Sequence, residues 1–65
     1  MERTGNTMPM TTQDYVKKAL LDSQERVRDY MNYSEQVDDA KLKKHFKEFA
    51  ETEGKQAHIL KQFLS

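Results

Sequence analysis

Core-type positions in this chain recur in steps of four and three along two separate lines, and the two lines do not join. The first runs Val16, Leu20, Ser23, Val27, Tyr30, Ser34 and Val37; the second runs Leu42, Phe46, Phe49, Glu53, Gln56, Leu60 and Phe63. Alternating steps of four and three trace one face of an α-helix. Between Val37 and Leu42 the step is five, and a single continuous rod would place Lys41 and Lys44 where apolar residues are needed. The break in phase falls on Asp38-Asp39, and Asp39 is placed to cap a helix opening at Ala40. The expected fold is therefore all-α: an antiparallel hairpin of two helices, about residues 12–37 and 40–64, joined by a tight turn.

The start of the first helix is marked by its own chemistry. Thr11-Thr12-Gln13-Asp14 has the spacing of a capping box, with Asp in place of the usual Glu or Gln, and Met10 and Tyr15 stand at the positions of a hydrophobic staple. Residues 1–10, with Gly5, Asn6 and Pro9, have no periodicity and read as a flexible tail. Order is expected over 11–65.

A chain of 65 residues, 35% hydrophobic and 34% charged, has little with which to fill a core. It contains no cysteine, so neither a disulfide nor a thiolate zinc site compensates. Association is the remaining source of stability, and a homo-oligomer, most simply a dimer, is expected. Eleven basic and eleven acidic side chains cancel, which leaves no whole-chain field to attract nucleic acid or an anionic membrane. The densest basic stretch, Lys41, Lys43, Lys44, His45 and Lys47, falls on the outward flank of the second helix and reads as a solvated face. Tyr15, Tyr30, Phe46, Phe49 and Phe63 sit at core or staple spacing, not as a platform for stacking bases. No run approaches the roughly 18 apolar residues of a membrane span, and the first ten residues lack a signal-peptide core. A cytoplasmic setting is the expectation.

An antiparallel hairpin with this turn pairs positions whose numbers sum to about 79 or 80. Val37 then faces Leu42, Tyr30 faces Phe49, Leu20 faces Leu60 and Val16 faces Phe63, all apolar pairs. In the same register Ser23 meets Gln56, and Val27 lies beside Glu53. The polar residues thus converge on one layer. Arg26, one turn after Ser23, is placed to reach Glu53, and Ser23 and Gln56 are placed to hydrogen-bond it. Two helices cannot shield such a layer from water. Ala19, Ala50, Ala57, Ile59 and Leu64 widen the apolar stripes beyond one seam, and broad stripes suit contact with more than one helix. Two hairpins packed as a four-helix bundle satisfy both observations. Gly54 falls mid-helix, where it reads as an ordinary exposed glycine.

The second helix, Leu42 to Phe49 followed by Ala50-Glu51-Thr52-Glu53-Gly54-Lys55-Gln56-Ala57-His58-Ile59-Leu60, is similar to the ferritin-like pattern of Leu, Phe, then Ala-Glu-x-Glu-x-x-His-Ala-x-x-Leu. The chain resembles a rubrerythrin-type helical hairpin over about residues 13–64, half of that superfamily's four-helix domain. Tyr30 fits the tyrosine that follows the family's first ligand glutamate by seven residues. The opening Met10-Thr11-Thr12-Gln13-Asp14-Tyr15 also looks like the start of spore-coat F-type proteins. The resemblance implies a di-metal carboxylate site in the bundle core. Carried over residue by residue, the first-helix glutamate falls on Ser23 and the histidine on Gln56, and only Glu53 is retained. A hydroxyl and a carboxamide are poor iron ligands. His58 lies two residues beyond the ligand slot, about 200° around the helix from Gln56, and His45 is two turns from Glu53.

The pattern therefore suggests a small non-catalytic structural or protein-interaction module with a degenerate ferritin-like metal site and no cofactor. Ser23, Arg26, Glu53 and Gln56 would form its polar core layer. The alternative is a metal-binding or iron-oxidising assembly, using iron or manganese, built across subunits around Glu53. A ferritin-like partner chain that supplies the missing ligands is a further possibility of that kind.

Overall fold

The computed structural model describes residues 10–64. It contains two helices, α1 (Thr12–Gln36) and α2 (Ala40–Lys61), packed side by side as a hairpin. Its smallest dimension is 11 Å, the width of one helix. The hairpin is a single layer, with both faces of the helix pair open. The flexible tail expected over residues 1–10 lies, apart from Met10, outside the described residues.

Each helix begins on the side chain the sequence marks for it. Thr11 Oγ1 accepts a hydrogen bond from the Asp14 amide at 3.1 Å, and Asp14 Oδ2 accepts from the Thr11 amide at 3.0 Å. Two amide groups left free by helix geometry are thereby satisfied. The bond from the Thr11 backbone stabilises the charged form and holds the Asp14 carboxyl below its ordinary 3.8. At α2, Asp39 Oδ1 accepts from the Leu42 amide at 2.9 Å. Val37 leaves the helical conformation, with φ −89° and ψ 150°, and so ends α1. The ammonium of Lys43 then reaches back across the turn to the Ser34 carbonyl at 3.0 Å, satisfying one of the last carbonyls of α1. At the open end Gln13 Nε2 donates to the Phe63 carbonyl at 2.7 Å. Beyond Lys61 the amides of Gln62, Phe63 and Leu64 bond three residues back, so α2 tightens and ends short of the expected residue 64.

Contacts between the helices fix the register. Tyr30 meets Phe49 edge-on at 5.5 Å between ring centroids, Tyr33 meets Phe46 at 5.6 Å, and Arg26 meets Glu53. All three pairs have numbers summing to 79, the pairing expected from the two seams.

The face that α2 presents to α1 differs from the expected one. Phe46, Glu53 and Leu60 are half-buried, but Leu42, Phe49, Gln56 and Phe63 are exposed, and Ala50 and Ala57 are buried in their stead. On α1 the whole expected seam is buried or half-buried, with Leu20, Ser23 and Ser34 the most enclosed. Small side chains explain the rotation. Ser23 and Ser34 on one helix and Ala50 and Ala57 on the other let the two backbones approach, because separation between helices follows the size of the residues at the contact. Facing Phe49 and Phe63 squarely onto α1 would force the helices apart. The cost is a thin core: Leu20, Ala50 and Ala57 are the buried apolar residues among those described.

Candidate functional site

Halfway along the hairpin the polar residues of both seams come together. Arg26 Nε lies 3.1 Å from Glu53 Oε1, and Arg26 Nη2 donates to Ser23 Oγ at 3.4 Å, a long bond. Ser23 is 2% exposed, whereas the Arg26 side chain is 46% exposed and that of Glu53 is 16% exposed. The arginine thus lies along the edge of the helix pair and turns its head inward. Its contact with Glu53 is a charge pairing without an aligned N–H: Glu53 Oε1 is buried and accepts no hydrogen bond among the described residues. Distance sets the Coulomb attraction and angle sets the hydrogen bond, so this pair has the first and lacks the second.

Gln56 stands apart from the layer expected to contain it. It is exposed, and it donates no hydrogen bond to Glu53. Rotation of α2 toward Ala57 carries Gln56 to the edge, where it borders an open groove of about 350 Å³ together with Ala19, Ser23, Arg26, Ile59 and Leu60. Ser23 hydrogen-bonds Arg26, not the carboxylate that the register places near it. Of the four expected residues, three form the linked cluster Ser23–Arg26–Glu53 and the fourth forms its rim. Sequence reasoning placed Ala19 and Ile59 only in a broad apolar stripe. Their part in the groove follows from Ala50 and Ala57, seven residues apart, whose burial against α1 turns Gln56 outward.

The arrangement does not fit a ferritin-like di-metal centre. Such a centre needs carboxylates and imidazoles converging on one point. Here the carboxylate is paired with a guanidinium, the counterpart on α1 is a buried hydroxyl, and the carboxamide in the histidine slot faces outward. Among the described residues no group of three or more His, Cys, Asp or Glu side chains is placed to hold a metal ion. His45 Nδ1 is 3.3 Å from Glu48 Oε1, and its ring stacks on Phe49 at 6.2 Å, near the turn. His58 lies with Glu51, Gly54, Lys55 and Ile59 around a shallow depression on the outer side of α2.

Near the turn a second cluster is purely aromatic. Tyr30 stacks on Phe46 at 6.1 Å and meets Tyr33 and Phe49 edge-on, and Phe46 meets both Tyr33 and Phe49. Each such pair adds about 0.5–1.5 kcal/mol beyond the area it buries. Yet Tyr33 remains 45% exposed and Phe49 46%. Among the described residues no helix is long and apolar enough to cross a membrane.

Comparison with family models, with curated proteins and with solved structures gave no match. The ferritin-like resemblance rests on the residue pattern alone.

Proposed function

We propose that the chain is a non-catalytic helical assembly module, working as a homodimer in which two hairpins pack into a four-helix bundle. In this reading the Ser23–Arg26–Glu53 cluster is a polar register layer descended in pattern from a ferritin-like site that has lost its ligands. The observation that carries it is the Arg26–Glu53 pairing at 3.1 Å: the one retained ligand-type carboxylate already has a cation for company. A thin core and an exposed apolar face supply the drive to associate.

The second reading is metal binding across subunits around Glu53, and the buried Oε1 without a hydrogen bond favours it. Melting the purified protein with and without stoichiometric Fe(II), Mn(II) or Zn(II) separates the two. The register layer predicts little change in melting temperature. A marked rise that disappears in Glu53→Gln would replace the assembly reading with the metal reading, because a ligand that binds only the folded state stabilises it by mass action.

A further inference from the structure

No further inference is drawn: the strongest candidate, the exposed apolar face that Leu42, Phe49 and Phe63 form along α2, carries none because nothing in the structure shows what covers it.

Discussion

Arg26 and Glu53 meet at 3.1 Å across the two helices, but the arginine is nearly half exposed and the glutamate is mostly enclosed. Their exchange is therefore unequal. Removing the arginine leaves an enclosed carboxylate; removing the glutamate leaves a guanidinium that water can reach. Arg26→Ala should destabilise by about 1–2 kcal/mol, below the cost of breaking a fully buried pair because solvent screens the exposed partner. Glu53→Leu should be neutral or stabilising, with helix content unchanged. Urea titration of the two variants checks the asymmetry, which fails if both lose stability equally.

Gly54 faces open space: a methyl group built there meets nothing within 4 Å. Gly54→Ala should then stabilise α2 by about 1 kcal/mol through helix propensity alone. The urea midpoint should rise with an unchanged slope. A loss of stability would show that Gly54 is needed for close approach by another backbone.

Exposed aromatic residues should report on association more than on hairpin stability. Phe63→Ser removes apolar surface that α1 does not cover, so it should weaken dimerisation at least tenfold and lower the melting temperature only as dimer is lost. In the parent chain, melting temperature should climb with protein concentration. Scattering and melting series from micromolar to millimolar protein check both expectations, and concentration-independent melting would contradict them.

Acid should loosen the start of α1. The Asp14 carboxyl is held below 3.8 by its bond from the Thr11 backbone, so the cap is complete at higher pH and is lost as pH falls through that lowered value. Amide exchange at Gln13–Val16 should accelerate across that range, and Asp14→Asn should flatten the dependence. The same profile in the variant would assign the effect to another carboxylate.

Much of this hairpin was legible in its residues. The step of five between Val37 and Leu42, the cap at Asp39 and the box at Thr11 determined both helices and the turn, because each depends on neighbours within a few positions. The pairing of Tyr30 with Phe49 followed from the same phase argument. The rotation of α2 did not. Periodicity weights Phe49 and Phe63 by their hydrophobicity, whereas the closest approach of two helices goes to small residues, and Ala50 and Ala57 look unremarkable in a hydrophobic pattern. For the same reason Gln56 was expected inside the polar layer and lies on its rim. The Arg26–Glu53 contact was legible in position, but the misalignment of its N–H depends on side-chain angles that sequence does not encode in any simple way.

Gln13 holds the Phe63 carbonyl at one end of the hairpin, and Lys43 holds the Ser34 carbonyl at the other. A force applied through the two ends of the chain thus enters at Gln13–Phe63 and runs at right angles to the helices. Contacts under such a load peel apart one after another, with Arg26–Glu53 in the middle and Lys43–Ser34 last, instead of resisting together as they would in shear. The hairpin is built as a zipper with its pull at the open end, and it should part at low force when tethered by its termini.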